Sequence, residues 1–152
     1  MLTNLLIQNR SYRRFDESAR ISEQTLKELV ATVRLCPSAA NRQPLKFRLV
    51  FEESEAAKVF ECLKFAAYLT DWSGPAAGER PAAYIVVLGD ETISKFSEVD
   101  AGIAMQTMLL RATEMGLGGC IFGSVQREKL REILGLDEGF HIGYVIALGK
   151  PA

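Results

Sequence analysis

An arginine-rich stretch near the N-terminus is the first segment of this sequence whose residue types suggest chemistry. The segment NRSYRRF, residues 9–15, contains Arg10, Arg13 and Arg14 together with Ser11. A guanidinium group is planar and permanently charged, so it can bind a phosphate through two parallel hydrogen bonds. A serine hydroxyl and the backbone N–H groups beside a helix end can add further donors. The segment is a candidate anion site. Taken alone, it favours the alternative, a solvated basic loop paired with Asp16 and Glu17.

A second polar segment, PSAANRQP at residues 37–44, has a proline at each end. Its Ser38, Asn41 and Gln43 carry hydroxyl and amide groups that both donate and accept hydrogen bonds. Such groups suit the edge of a heteroaromatic ring on which N–H and C=O alternate. The alternative is a turn capped by its own asparagine and serine, and in isolation the segment favours that alternative.

The glycine-rich segment GLGGC, residues 116–120, is not a dinucleotide-binding fingerprint. These glycines end a helix and enter a strand, whereas the dinucleotide pattern leaves a strand and enters a helix. Gly116 has the position of a helix C-cap. Gly118, Gly119 and Gly123 still allow the backbone to approach a flat ligand closely.

Composition limits the possible functions. The 152 residues suit a single domain, 1–152, and the formal net charge of −1 argues against a nucleic-acid partner. Three widely separated cysteines and a single histidine disfavour a disulfide framework, a structural zinc site and a Ser-His-Asp triad. We see no signal peptide and no apolar run of membrane-spanning length, which predicts a cytoplasmic protein with no membrane partner.

The elements that position these residues follow from the hydrophobic pattern. After a short N-terminal amphipathic helix, the arginine stretch is predicted to be a loop, and Ser22 caps a second helix. Later helices are predicted to run from Ser54 to Phe65, from Asp100 to Gly116, and over 126–136, and strands over 45–52, 82–89, 118–123 and 141–149. Alternating strands and helices favour a three-layer α/β or α+β domain. The helix at 100–116 is apolar almost all round, so we expect it to be buried on more than one side.

Four motifs together resemble the nitroreductase family of FMN-dependent oxidoreductases, and the resemblance covers nearly the whole chain. They occur in the family's order and are RSYRRF, PSAANRQP, DAGIAMQTMLLRATEMGLGG and ALGKP. The resemblance implies an α+β fold of three α/β/α layers, with a central, mostly antiparallel sheet flanked by helices. It also implies an intertwined homodimer with two FMN sites between the subunits.

The resemblance assigns the candidate binding residues in three groups. The FMN phosphate is implied to contact Arg10, Ser11 and Arg13, with Arg14 on the variable position of the motif. The partner subunit's loop is implied to reach the flavin through Ser38, Ala39, Asn41 and Gln43. Backbone N–H groups around Phe122, Gly123 and Ser124 are implied to face the reducible side of the ring. No catalytic side chain is assigned, because the cofactor carries the chemistry.

The implied activity is oxidoreduction, with NADH or NADPH as the electron donor and a nitroaromatic compound or a quinone as the acceptor. The alternatives are another flavoenzyme on this scaffold, such as a reductive dehalogenase or a flavin-consuming member, and a non-catalytic flavin-binding protein. Trp72 and Tyr68 either line the substrate face or cover the edge of the core. Two departures from the family pattern bear on FMN affinity. Asn9 stands where many relatives have an arginine, and the sequence ends at Ala152, where relatives usually continue into a tail.

Overall fold

The computed structural model describes residues 1–95 and 97–152. The α-helices of this described part are α1 (Leu2–Gln8), α2 (Glu23–Ala31), α3 (Glu53–Phe60), α4 (Glu98–Glu114) and α5 (Arg127–Leu134). Its strands are β1 (Phe15–Asp16), β2 (Leu45–Val50), β3 (Ala83–Asp90), β4 (Gly118–Phe122) and β5 (Phe140–Pro151). Short 3₁₀ turns at Thr32–Leu35 and Ala39–Asn41 lie between α2 and β2.

The sheet is built around the long strand β5. Strand β3 pairs with one edge of β5, β4 and β1 pair with its other edge, and β2 adds outside β3. Each of these pairings is antiparallel. The predicted antiparallel α+β fold is confirmed, and β2 lies at an edge of the sheet.

Helices cover both faces of the sheet, as the alternation of side chains along β3 shows. Ile85 and Val87 pack in one core with the apolar side chains of α2 and α4. Tyr84, Val86 and Leu88 point the other way and pack with those of α3 and α5. Because successive side chains on a strand face opposite sides, a strand buried on both faces must be apolar throughout. This result confirms the three layers.

Helix α3 differs from its prediction at both ends. Glu52, not Ser54, is its N-cap residue, and the helix stops at Phe60 rather than Phe65. The chain leaves the helix because its next residues have better partners elsewhere in the fold. Leu63 forms a β-bridge with Val125, and the ring of Phe65 lies 4.6 Å from that of Phe122.

The arginine stretch is also more ordered than the predicted loop. Its last residue, Phe15, is buried and pairs with Pro151 at the start of β1, and Ser11 forms a parallel bridge with Gly119. These pairings join the stretch to the sheet at two points. Sequence pattern alone did not show them, because their partners lie more than a hundred residues away.

Helix α4 begins two residues before the predicted Asp100 and ends before Gly116. Gly116 has φ +75°, the left-handed conformation that favours glycine just past a helix end. Within the described residues, no helix is long and apolar enough to cross a membrane.

Candidate functional site

The sequence-predicted phosphate ligands share one cleft, which we call the arginine cleft. Its volume is about 170 Å³, and it lies where the end of α1, the middle of α4 and β4 meet. The described residues that line it are Asn9, Arg10, Ser11, Arg13, Gln106, Leu109, Gly119, Cys120 and Ile121. The structure therefore brings together Arg10, Ser11 and Arg13.

Arg10 is held against the end of α1. Its Nε donates to the carbonyl of Ile7 and its Nη2 to the carbonyl of Leu6, each at 2.9 Å. Arginine at a helix C-terminus commonly satisfies the last carbonyl groups in this way. Within the described part of the chain, Nη1 of Arg10 has no hydrogen-bond partner and remains available to a ligand.

The neighbours of Arg10 are fixed by β4. Ser11 bridges to Gly119, and the backbone N–H of Tyr12 donates to the Gly119 carbonyl at 3.0 Å. Nη1 of Arg13 donates to the Ser11 carbonyl at 3.2 Å, which turns this side chain back over the same segment. The cationic groups are thus attached to the sheet rather than to a free loop.

Gly119 permits this close approach. A Cβ atom at this position would lie 2.6 Å from the Ala147 carbonyl oxygen and 2.6 Å from a methyl carbon of Leu109. Both distances are shorter than real Cβ atoms tolerate, so a side chain here would push the strand away from its neighbours. Gly119 of GLGGC therefore serves backbone packing beside the arginine cleft.

Cys120 lies in the same cleft wall and behaves as a buried thiol. Burial raises the pKa of the Cys120 thiol, and the nearby charge of Arg13 and a hydrogen bond with Ser11 lower it by less. A thiol held in its protonated form is a poor nucleophile. Cys120 is therefore a core thiol rather than a nucleophile.

The second candidate segment lines a different cleft, which we call the loop cleft. It has a volume of about 270 Å³. Ser38, Asn41 and Gln43 line it, together with Val33, Arg34, Cys36, Pro37, Leu45, Lys46 and Asp100. No residue is common to the loop cleft and the arginine cleft. One copy of the chain therefore leaves the two groups of candidate ligands apart.

The backbone of this loop is strained. Ala40, Asn41 and Gln43 have φ angles of 49°, 53° and 52°, in the left-handed region that residues other than glycine seldom adopt. Such conformations persist only where surrounding contacts enforce them, and they concentrate at ligand-binding sites. The conformation of this loop is therefore enforced by its contacts, unlike that of a simple turn. Ser38 and Asn41 also accept hydrogen bonds from Gln43 within the loop, as the turn alternative expected.

The third predicted group lies at the end of β4 and lines neither cleft. Phe122 is buried, whereas Gly123 and Ser124 are exposed just beyond the strand. Hydrogen bonds fix their carbonyl groups. Nη2 of Arg127 donates to the Gly123 carbonyl at 3.1 Å, and the Lys64 N–H donates to the Ser124 carbonyl at 3.2 Å. Gly123 and Ser124 thus present backbone to solvent in a defined orientation.

Two residues that hold these segments were not singled out from the sequence. Asp100 accepts hydrogen bonds from Ser38 and Ala39, and Arg127 donates to the carbonyls of Ile142 and Gly143 at 2.8 Å. Asp100 opens the motif DAGIAMQ as a charged residue among apolar neighbours, and that contrast is the signal that could have found it. Arg127 carries no comparable signal, because it reads as one more charge on a surface helix.

Tyr68 and Trp72, the two aromatic residues considered for the substrate face, differ in their surroundings. Trp72 packs edge-on against Phe65, with ring centroids 6.3 Å apart, and lines an open surface cleft beside Arg13 and Arg14. Tyr68 is fully exposed. Trp72 therefore covers the edge of the core and also faces a cleft.

The fold and clefts define a three-layer α+β protein with an antiparallel sheet and a cationic cleft beside strand β4. The sequence profile of the Nitroreductase family matches residues 6–150. A curated protein of Archaeoglobus fulgidus with the provisional name NADH dehydrogenase/NAD(P)H nitroreductase is 30% identical over 155 residues, covering 97% of this chain and 83% of its own length. This chain belongs to the nitroreductase family, which confirms the resemblance found in its motifs.

Solved structures show the same fold. An FMN-dependent nitroreductase from Clostridium difficile superimposes with a TM-score of 0.80 at 20% identity, covering 98% of this chain and 87% of its own. A nitroreductase family protein from Clostridium novyi gives a TM-score of 0.81 at 20% identity, covering 100% of this chain and 86% of its own. At this identity the likeness concerns the fold alone.

Proposed function

We propose that this protein is an FMN-dependent oxidoreductase that takes electrons from NADH or NADPH and passes them to a nitroaromatic compound, a quinone or a similar acceptor. The observation that carries the proposal is the convergence of Arg10, Ser11 and Arg13 on one cleft. Membership of the nitroreductase family and the name of the archaeal relative support the reaction class. When bound, FMN supplies the hydride chemistry.

The arginine cleft fits a phosphate group. The described residues that line it include two arginines and no carboxylate. Arg10 keeps Nη1 free, Ser11 adds a hydroxyl group, and Gln106 adds an amide that is exposed on α4. Charge-assisted hydrogen bonds from guanidinium groups to phosphate are among the strongest that a protein makes. Asn9 also lines the cleft, so at this position a neutral amide replaces the further arginine of many relatives.

The loop cleft is proposed to supply the second half of the site from a partner subunit. Ser38, Ala39, Asn41 and Gln43 belong to a segment that does not reach the arginine cleft of its own chain. Under this proposal, a flavin bound by both groups lies between two copies of the chain. Under this proposal, Gly123 and Ser124 offer backbone N–H groups to the ring, where such donors stabilise the negative charge of reduced flavin.

Exposed apolar side chains support the homodimer. In α1, Leu2 and Ile7 are each 62% exposed and Leu6 is 44% exposed, and Val99 at the start of α4 is 74% exposed. Helix α1 buries none of its residues, although it lies against α4. Exposed apolar side chains grouped on one helix, as on α1, favour a protein contact. We therefore propose that α1 and α4 contribute to the dimer interface. A cytoplasmic location is proposed on the strength of the unpaired cysteines.

The test compares FMN with riboflavin, which lacks the phosphate. The purified protein is expected to bind FMN with a visible flavin spectrum, and to bind riboflavin at least about tenfold more weakly. Anaerobic NADH or NADPH should bleach the bound flavin, and a nitroaromatic compound or quinone should restore the colour. Failure to bind FMN would contradict the proposal. Bound FMN that neither nicotinamide reduces would favour a non-catalytic flavin-binding protein.

A further inference from the structure

We infer that Asp100 is a positioning residue for the loop 38–43, and that Ser38 acts in cofactor binding through Asp100 rather than by direct contact with the flavin. The inference rests on the proposed function, since it names the device that shapes the partner-facing half of the flavin site. Asp100 lies outside the loop itself, 62 residues along the chain from Ser38.

The burial of Asp100 is the first observation. This side chain is 5% exposed and is the only buried charged residue among those that the structure describes. A buried carboxylate is strongly unfavourable unless it accepts hydrogen bonds from well-placed donors. Asp100 is the third residue of α4, so the helix dipole also favours its negative charge.

The donors to Asp100 come from the loop. The backbone N–H of Ala39 donates to Oδ1 at 3.1 Å, and the Ser38 hydroxyl donates to Oδ2 in a short contact. The same Ser38 oxygen accepts the backbone N–H of Gln43 at 3.0 Å. The hydroxyl has thereby used its hydrogen and one of its lone pairs within the protein. Ser38 closes the loop across five residues, and Asp100 fixes the closed loop to α4.

This closure explains the strained backbone and what it presents. Between the Ser38 and Gln43 anchors, the chain passes through the left-handed conformations of Ala40, Asn41 and Gln43. The side chains of Asn41 and Gln43 are exposed, and Nε2 of Gln43 donates to Oδ1 of Asn41 at 2.9 Å. Within the described residues, that bond leaves the side-chain oxygen of Gln43 and the side-chain nitrogen of Asn41 free to bind a ligand. A neighbouring acceptor and donor suit the polar edge of the flavin ring, so these residues are the direct contacts.

The anchor is tested first on the flavin-free protein by amide hydrogen exchange. In Asp100→Asn the N–H groups of Ala39 and Gln43 are expected to exchange about tenfold faster than in the wild type, because the loop is released from α4. Glu98→Gln is the matched control, since Glu98 is an exposed carboxylate of the same first turn. Unchanged exchange of both amides in Asp100→Asn would overturn the anchor.

The role in cofactor binding is tested by FMN affinity. Asp100→Asn and Ser38→Ala are each expected to raise the FMN dissociation constant about tenfold, and Ser38→Thr, which keeps the hydroxyl, is expected to restore affinity. The double variant, Asp100→Asn with Ser38→Ala, should bind FMN as well as the single variant that has the lower affinity. The reason is that both changes break one linked set of hydrogen bonds. Additive losses would show that Ser38 contacts the flavin independently and would overturn the inference.

The two levels of the proposal fail differently. A wild-type protein that does not bind FMN would contradict the proposed function. A wild-type protein that binds FMN, beside an Asp100→Asn variant with the same affinity, would overturn only the role of Asp100. The test uses Asp100→Asn rather than Asp100→Ala because asparagine has the same shape as aspartate. Ser38→Ala removes the other partner of the same hydrogen bond, so the test stays valid if one of the variants does not fold.

Discussion

The guanidinium of Arg14 donates two hydrogen bonds to the carboxylate of Glu79, from Nε at 2.9 Å and from Nη2 at 2.7 Å. This ion pair offsets the positive charge that Arg14 would otherwise offer to a phosphate. Neither Arg10 nor Arg13 has a carboxylate partner within the described residues. The three arginines of NRSYRRF are therefore not equivalent, and the distinction can be measured.

We predict that Arg13→Ala and Arg14→Ala differ in their effect on FMN binding. Arg13→Ala removes a cation from the arginine cleft and is expected to raise the FMN dissociation constant at least about tenfold, equivalent to about 1.4 kcal/mol. Arg14→Ala breaks a mostly exposed ion pair and should change the FMN dissociation constant by less than about twofold. Flavin fluorescence titration measures both. Equal losses in the two variants would contradict the assignment of Arg13.

A side chain at Gly119 is predicted to destabilise the protein. Gly119→Ala places a Cβ atom 2.6 Å from the Ala147 carbonyl oxygen, so the strand pairing must shift. We expect the free energy of unfolding to fall by about 1–3 kcal/mol. Gly139→Ala is the control, because a Cβ there meets nothing within 4 Å. Urea unfolding of the two variants checks the prediction, and equal stability of both would disprove the close packing.

Removal of Arg127 is predicted to loosen the segment after β4. Its guanidinium donates to the carbonyls of Gly123, Val125, Ile142 and Gly143. Arg127→Ala leaves several of these groups without a partner and should lower the free energy of unfolding by about 2–3 kcal/mol. Faster hydrogen exchange at 123–125 should accompany the loss.

A matched control for Arg127 lies on the same helix. Among the residues that the structure describes, Lys129 forms one exposed ion pair, with Glu61 at 3.6 Å. Lys129→Ala is expected to change the free energy of unfolding by less than about 0.5 kcal/mol. If both variants lost a comparable free energy of unfolding, the positive charge on α5, rather than the carbonyl contacts of Arg127, would account for the destabilisation.

The Asp16 carboxyl is predicted to titrate below its ordinary range. Hydrogen bonds from the hydroxyl and backbone N–H of Ser18 lower the pKa of Asp16, and the charge of Lys150 lowers it further. A pKa lower in the folded state than in the unfolded state stabilises the fold above the ordinary aspartate value of about 3.9. That contribution is lost as the pH falls through the folded value.

Ser18→Ala tests this prediction. The variant should raise the pKa of Asp16 toward the ordinary value, as followed by carboxyl carbon NMR. The stability difference between variant and wild type should be present at neutral pH and shrink as the solution is acidified below the Asp16 pKa. An Asp16 titration that is unchanged in the variant would show that Ser18 is not the cause.

Much of the fold could be predicted from local sequence. Ser22 caps α2, and its hydroxyl accepts the Thr25 N–H at 3.1 Å. The apolar run of β3 and the glycine after α4 also had their predicted roles, since each depends on neighbouring residues. The end of α3 and the strand β1 could not be predicted, because contacts such as Phe65 with Phe122 and Phe15 with Pro151 join distant parts of the chain.

The sequence by itself determined the chemical groups of the candidate site and the order in which they occur: arginines near the N-terminus, an amide-rich loop between prolines, and glycines before a strand. Only the tertiary structure decided how these groups are used. It directs Arg10 and Arg13 to one cleft, pairs Arg14 with Glu79, and engages Ser38 with Asp100. The physical reason is that residue type fixes what a side chain can donate or accept, whereas folding fixes which distant partner satisfies it.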